Sequence, residues 1–250
     1  MVEAELKLKK IADAQPYPLV FATISGAHLY GFASPDSDYD LRGVHVLPLT
    51  QIAGLNPWQN TIEVSKVTSG LELDLVTHDL QKFCTLLLKR NGYVLEQLYS
   101  PLIICSSLEY EELTEIASGC ITRHHVHHYL GFAKTQWRLF AKENPPRVKP
   151  LLYLYRVLLT GIYLMQTGKI EANLNNLNRE FNLPYIADLI ALKVAGTEKE
   201  KIHSVDLNFH QQEYERLQER LALASQNSHL PDAPTAKDAL NDLLIRVRLQ

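Results

Sequence analysis

The segment from Leu19 to Gly43 constrains the fold of this chain more than any other part of the sequence. It begins with an apolar run rich in strand-forming residues, which predicts a buried strand over 19–24. Gly26 follows in a small-residue turn, and Asp38 and Asp40 come later, separated by one residue. Side chains alternate along a strand, so a second strand over 38–47 would turn both carboxylates to the same face.

Neighbouring carboxylates of this kind predict a metal site. Two like charges held side by side repel each other and need a cation, and hard oxygen ligands suit Mg²⁺ or Mn²⁺. A third acidic strand is predicted over 71–77, where Glu72 and Asp74 share the face opposite the leucines. Two adjacent acidic strands could hold three carboxylates around metal ions that serve phosphoryl transfer. The residues alone leave Glu72 and Asp74 as alternative third ligands.

The rest of the chain predicts an α+β protein with a small mixed sheet flanked by helices and a helical C-terminal region. A first helix is expected over 2–14, a short helix over 26–30, and strands over 61–67 and 71–77 joined by a turn at 69–70. Asp79 is a good N-cap for a helix that runs to about Arg90. From residue 109 onward the apolar positions follow a helical period, which predicts two domains, 1–108 and 109–250.

Composition narrows the class of protein. The chain has 250 residues, a net charge of −3 and three cysteines without metal-binding or disulfide spacing. A charged N-terminal segment and the lack of a long apolar run predict a cytoplasmic protein without membrane contact. A net charge of −3 means that the protein as a whole is not basic, so binding to nucleic acid would depend on a local patch of basic residues.

Two blocks of sequence resemble a known family. The first is Ser-Gly-Ala-His-Leu-Tyr-Gly at 25–31 with Ser-Pro-Asp-Ser-Asp-Tyr-Asp-Leu-Arg-Gly-Val at 34–44, and the second is Asp-Leu-Val-Thr-His-Asp-Leu-Gln-Lys-Phe at 74–83, continuing to 94–101. They resemble the nucleotidyltransferases of the DNA polymerase β superfamily, and in particular those associated with RNA-repair pathways. The resemblance covers about residues 20–101 and extends loosely to 149–168.

The resemblance implies roles for individual residues. Asp38 and Asp40 match the paired metal ligands, and Asp74 matches the third carboxylate, as base or ligand. Gly26 matches the glycine of the phosphate-binding turn. Ala27 departs from the family, which usually has serine there; Ser25, one position earlier, is the candidate hydroxyl in its place.

Three further groups are candidates. Lys149 and Arg156 share a helical face with Tyr153, and this basic stripe could contact a triphosphate or an RNA backbone; the alternative is a solvated face. Histidines at 124, 125, 127 and 128 have a spacing seen in zinc sites, but a polar helix face is favoured. Arg42 is expected on the strand face opposite Asp40, either in a salt bridge, for example to Asp36, or at the substrate.

Two functions from different classes follow. The first is an enzyme that transfers a nucleoside monophosphate from an NTP to an acceptor hydroxyl, with an RNA end among the candidate acceptors, using Asp38, Asp40 and Asp74 with Mg²⁺ or Mn²⁺. The second is a degenerate nucleotidyltransferase fold that binds nucleotide or a partner without turnover. The carboxylates favour the enzyme, whereas Ala27 favours the binding module.

Overall fold

A computed structural model of the chain describes residues 2–55, 57–68, 71–202 and 205–250. The predicted turn at 69–70 lies outside the described residues. The strands are β1 (Leu19–Ser25), β2 (Tyr39–His45), β3 (Thr61–Thr68), β4 (Leu71–Asp79) and β5 (Ile103–Ser106). The helices are α1 (Val2–Asp13), α2 (Gly26–Tyr30), α3 (Leu49–Ile52), α4 (Leu80–Leu88), α5 (Gly92–Leu98), α6 (Leu108–Ala117), α7 (Val126–Lys142), α8 (Val148–Thr167), α9 (Leu174–Phe181), α10 (Pro184–Ala195), α11 (Leu207–Gln226) and α12 (Lys237–Arg248).

The five strands form one mixed sheet, which confirms the predicted α+β class. Their order is β3-β4-β2-β1-β5. β2 and β4 are parallel, and the other neighbouring pairs are antiparallel. The edge strand β5 has no counterpart in the sequence-based prediction, because its four residues are too few to show a clear period.

The chain divides into two compact units that do not coincide with a boundary at 108/109. The first unit contains residues 1–26, 38–121 and 233–250, and the second contains 27–37 and 122–232. The segments 109–121 and 233–250 are in the first unit because α12 packs against α6 and α4. The helical C-terminal half is therefore shared between the two units.

In the first unit, α1 covers one face of the sheet. Its buried residues Leu8 and Ile11 belong to a core cluster with strand residues that alternate along the sheet. These strand residues are Ala22, Ile24, Leu41, Leu73 and Leu75. On the opposite face, Phe21 packs against Phe83 of α4, with ring centroids 5.6 Å apart. Alternation therefore places the intervening polar residues of β2 and β4 on the face away from α1.

In the second unit, α8 is the central helix and packs against α7, α9, α10 and α11. It ends at Gly168, whose φ of 71° is the left-handed conformation that glycine adopts readily. By length and composition α8 could cross a membrane, which the sequence-based prediction did not foresee. However, 83% of the qualifying window is buried within the protein, as in the core helix of a soluble protein.

The helical period that the sequence predicts from residue 109 onward is interrupted after α6. α6 ends at Ala117, and two short 3-10 helices, Ser118–Cys120 and Arg123–His125, precede α7. The interruption is stabilised locally, since the side chains of Thr122 and His125 cap each other's backbone in a reciprocal capping box.

Candidate active site

Four polar residues form a row across the sheet of the first unit. Asp40 of β2 pairs in register with Ser25 of β1 on one side and with Asp74 of β4 on the other. Asp74 pairs in turn with Ser65 of β3, whose hydroxyl donates a 3.0 Å hydrogen bond to Asp74 Oδ1. Residues in register on neighbouring strands point to the same face, so both carboxylates lie on the face away from α1.

Arg42 joins the two carboxylates. Its Nη2 lies 2.6 Å from Asp40 Oδ1 and 2.8 Å from Asp74 Oδ2. The Arg42 side chain is 11% exposed, while those of Asp40 and Asp74 are 28% and 40% exposed. One cation therefore compensates two carboxylates that would otherwise repel each other.

Further hydrogen bonds fix the guanidinium. Nη1 donates to the carbonyl oxygens of Asp74, at 2.6 Å, and Leu41, at 3.1 Å, and Nε donates to the hydroxyl of Tyr93 on α5, at 2.9 Å. Burial lowers the pKa of Arg42, but the charges of Tyr93, Asp40 and Asp74 outweigh it, so the pKa is raised overall. The guanidinium is therefore a permanent cation in this site.

The position of Arg42 corrects the sequence-based expectation. Arg42 is two residues from Asp40, so it lies on the same face of β2 rather than the opposite one. Its ion pairs are with Asp40 and Asp74, not with Asp36. The alternation of side chains along a strand was the signal in the sequence that could have identified it.

Gly26 touches the carboxylate of Asp40. A Cβ built at Gly26 would lie 1.8 Å from Asp40 Oδ2, and the residue has a φ of +62°. Any other residue would therefore be strained in its backbone and would collide with the carboxylate. A glycine is required here because the turn after β1 passes directly against the acidic strand.

Ser25 is buried beside this turn. It is 0% exposed, and its hydroxyl has no hydrogen-bond partner among the residues that the structure describes. Its register with Asp40 places it on the carboxylate face of the sheet. Ser25 therefore shares a face of the sheet with Asp40 and Asp74.

Asp38 lies outside the strand. β2 begins at Tyr39, so strand alternation does not fix the direction of Asp38, which is exposed. Within the described ranges, no three His, Cys, Asp or Glu side chains are grouped so that they could hold a metal ion. The donor chemistry nevertheless fits a divalent cation, since Asp40 and Asp74 direct one oxygen each to a single cationic nitrogen.

Lys149 and Arg156 belong to the second unit, where the Lys149 side chain is 38% exposed and Arg156 is buried. Lys149 pairs with Glu198, which also binds the fully buried Lys193 at 2.9 Å. Arg156 is 2% exposed, and its guanidinium lies 3.8 Å from the centroid of the Tyr30 ring. Both predicted nucleotide-binding residues thus have partners within their own unit.

The histidines around α7 do not form a metal group. His124 belongs to the 3-10 helix before α7, and its Nε2 lies 3.6 Å from Asp232 Oδ1. His125 is buried and caps that turn, while the ring of His128 contacts Tyr129 and Phe132. These contacts differ from the partly exposed polar helix face that the sequence favoured, because His125 is fully buried and His124 and His125 precede α7.

The fold and this row of residues define a class of protein, an α+β protein with an acidic pair on parallel strands beside a glycine turn. A family model described as the RNA repair pathway DNA polymerase beta family, RlaP, matches residues 2–246. The chain therefore belongs to this family.

Two relatives are similar to part of the chain. The uncharacterized protein MJ0002 of Methanocaldococcus jannaschii is 33% identical over 162 residues, which cover 63% of this chain and 64% of that protein. The uncharacterized protein YcgL of Bacillus subtilis is 26% identical over 166 residues, which cover 66% of this chain and 63% of that protein. The chain thus matches less than two thirds of the length of either relative.

Two solved structures are also similar. One is a nucleotidyltransferase-like protein from Exiguobacterium sibiricum, with 12% identity, coverage of 98% of this chain and 74% of that chain, and a TM-score of 0.35. The other is the spectinomycin adenyltransferase AAD(9) of Enterococcus, with 15% identity, coverage of 99% of both chains and a TM-score of 0.38. Both scores are below 0.5, so family membership rests on the sequence match.

Proposed function

We propose that this protein is a nucleotidyltransferase that transfers a nucleoside monophosphate from an NTP to a hydroxyl at an RNA end, with Mg²⁺ or Mn²⁺. The observation that carries the proposal is the paired register of Asp40 and Asp74, whose oxygens converge within 2.8 Å of one cationic nitrogen. Membership of the RNA repair pathway DNA polymerase beta family supports the reaction class and the RNA acceptor.

The proposed reaction is an in-line displacement at the α-phosphorus. The acceptor oxygen forms a bond to this phosphorus while the bond to the bridging oxygen of pyrophosphate breaks, and pyrophosphate leaves. The proton of the acceptor hydroxyl passes to the carboxylate of Asp74, which Ser65 orients by its hydrogen bond. A bound metal would neutralise charge on the triphosphate and activate the acceptor oxygen.

The residues of the chain would bind the metal and the phosphate groups. Asp40 and Asp74, with Asp38 from the preceding loop, would hold the metal. Gly26 allows the turn after β1 to pass directly against the Asp40 carboxylate, because it has no Cβ, and the backbone N–H groups of this turn would bind a phosphate group. Ser25 offers a buried hydroxyl beside that turn.

A specific observation favours a second candidate, a nucleotide-binding module without turnover. Arg42 already satisfies one oxygen of each carboxylate, so a metal ion would have to compete with it. Ala27, where the family usually has serine, removes one hydroxyl from the phosphate-binding turn.

Label transfer distinguishes the two candidates. The full chain is incubated with each α-³²P NTP in turn, with Mg²⁺ and with RNA that has either a free or a blocked terminal hydroxyl. The enzyme labels only the free end, EDTA abolishes the labelling, and Asp40→Asn abolishes it as well. Asp13→Asn, a change of an exposed carboxylate at the end of α1, is the matched control and keeps activity. Nucleotide binding without labelling by any NTP would contradict the enzyme and support the binding module.

A further inference from the structure

The helix α7 carries basic residues but no acidic ones, unlike the chain as a whole. The whole chain contains 28 Asp and Glu residues, yet α7 has none in its 17 residues. Lys134, Arg138 and Lys142 recur along it at intervals of four residues. Residues four apart lie on the same face of a helix, with a rise of about 6 Å between them. We call these three residues the α7 stripe.

The α7 stripe lies at the centre of the helix face that points away from the core. All three residues are exposed, as are His127 and Gly131 on the same face. A Cβ at Gly131 would meet no atom within 4 Å, so this surface is open. The residues on the opposite side of α7 are buried, and they are Val126, Tyr129, Ala133 and Phe140.

The charge of the α7 stripe is not compensated. Five other cations of the same unit are held in ion pairs: Arg123 with Asp232, Arg147 with Glu143, Lys149 and Lys193 with Glu198, and Arg216 with Glu213. Across the ranges that the structure describes, no residue of the α7 stripe makes an ion pair. Glu143, the acid next along the chain, is engaged by Arg147 at 2.5 Å. The stripe is therefore a local positive surface on a protein of net charge −3.

A row of uncompensated cations on a rigid helix is complementary to a polyanion. A phosphodiester backbone presents regularly spaced negative charges, and its counterions are released when lysine and arginine neutralise them. A membrane fits this surface less well, because a helix that lies on a membrane needs an exposed apolar face. The apolar side of α7 is instead packed against α8.

We propose that the α7 stripe binds the sugar–phosphate backbone of RNA. The choice of RNA rests on the proposed function, in which an RNA end is the acceptor. Binding through phosphates requires no particular base sequence and depends strongly on salt concentration.

The test measures binding of the full chain to a fluorescent single-stranded RNA of roughly 20 nucleotides, enough to cover typical single-strand site sizes. Anisotropy is recorded without NTP over a range of salt concentrations, so turnover does not enter. In the triple variant Lys134→Gln, Arg138→Gln, Lys142→Gln, we expect weaker binding and a slope of log K against log salt that is smaller by about 2, since each lost contact removes about 0.7.

A matched control removes the same charge elsewhere. The triple variant Lys9→Gln, Lys10→Gln, Lys237→Gln changes exposed lysines of α1 and α12. It keeps the salt slope of the original chain. Circular dichroism and thermal unfolding check that both triple variants are folded, which we expect because the changes are confined to exposed side chains.

Several results would overturn the proposal. The first is an unchanged salt slope in the α7 variant, and the second is an equal loss of RNA affinity in the control variant. The third is tighter binding of DNA than of RNA of the same sequence. The fourth is a variant that binds RNA normally but binds vesicles containing phosphatidylserine more weakly than the original chain does. The outcome is separable from that of the proposed function. RNA binding that depends on the stripe in a chain that transfers no label contradicts only the transferase. Label transfer to RNA with an unchanged salt slope contradicts only the stripe.

Discussion

At the scale of the residue, the contact between Gly26 and Asp40 predicts that a side chain at position 26 destabilises the protein. Gly26→Ala introduces a Cβ into the Asp40 carboxylate and keeps a positive φ, so we expect the free energy of unfolding to fall by about 1–3 kcal/mol. Urea denaturation measures the change. Gly131→Ala is the matched control, since Gly131 is helical and open, and it should raise stability by about 0.5–1 kcal/mol. An equal change in unfolding free energy in the two variants would contradict the close contact between Gly26 and the Asp40 carboxylate.

Arg42 makes a second prediction at the same scale. Arg42→Gln keeps a polar side chain but leaves Asp40 and Asp74 without their shared cation, so we expect a loss of about 1–3 kcal/mol in unfolding free energy. The partial exposure of both carboxylates keeps the loss below that of a fully buried pair. If the two carboxylates also hold a divalent cation, Mg²⁺ raises the thermal midpoint of this variant more than that of the original chain. An equal shift in both would show that Arg42 and the metal do not compete.

At the scale of the element, His78 on β4 makes the stability of the sheet depend on pH. Burial, followed by the positive charges of Lys82, His45 and Arg42, lowers the pKa of His78 to about 4, from 6.5 when exposed. The unfolded chain therefore binds a proton between these values that the folded chain does not. The contribution to stability is complete above pH 6.5 and is lost as the pH falls towards 4, on the order of 1–3 kcal/mol.

Replacement of this histidine tests the linkage. His78→Gln should flatten the dependence of unfolding free energy on pH between pH 7 and pH 4.5. This range covers most of the interval between the pKa of the histidine in the unfolded chain, 6.5, and its pKa in the folded chain, about 4. The exposed His127→Gln of α7 should leave that dependence as it is. If the two variants follow the same pH curve, His78 is not the linked group.

At the scale of the whole molecule, a buried ion pair ties the end of the chain to the sheet domain. Arg248, at the end of α12, lies 2.6 Å from Asp79, which is fully buried and caps α4. Arg248→Leu leaves that carboxylate buried without its cation, which should cost about 3–5 kcal/mol in urea denaturation. Addition of Asp79→Asn should recover part of the loss. Arg246→Leu, which breaks an exposed pair with Glu112, should have little effect.

The sequence by itself determined much of the local structure. The apolar run of β1, the alternation in β4 and the N-cap at Asp79 are encoded over short distances, because propensity and periodicity act within a few residues. The two sequence blocks also identified the family. The short edge strand β5 and the break between α6 and α7 were missed, since each depends on contacts beyond the local pattern.

Only the tertiary structure decided which residues meet. Parallel pairing of β2 with β4 sets Asp40 beside Asp74, and no local pattern could fix that register. The same pairing brings Arg42 between the carboxylates, and α12 returns to the first unit through Arg248. Alternation along β2 could place Arg42 on the same face as Asp40, but only the pairing with β4 sets its guanidinium between Asp40 and Asp74, because charge compensation is a property of neighbours in space.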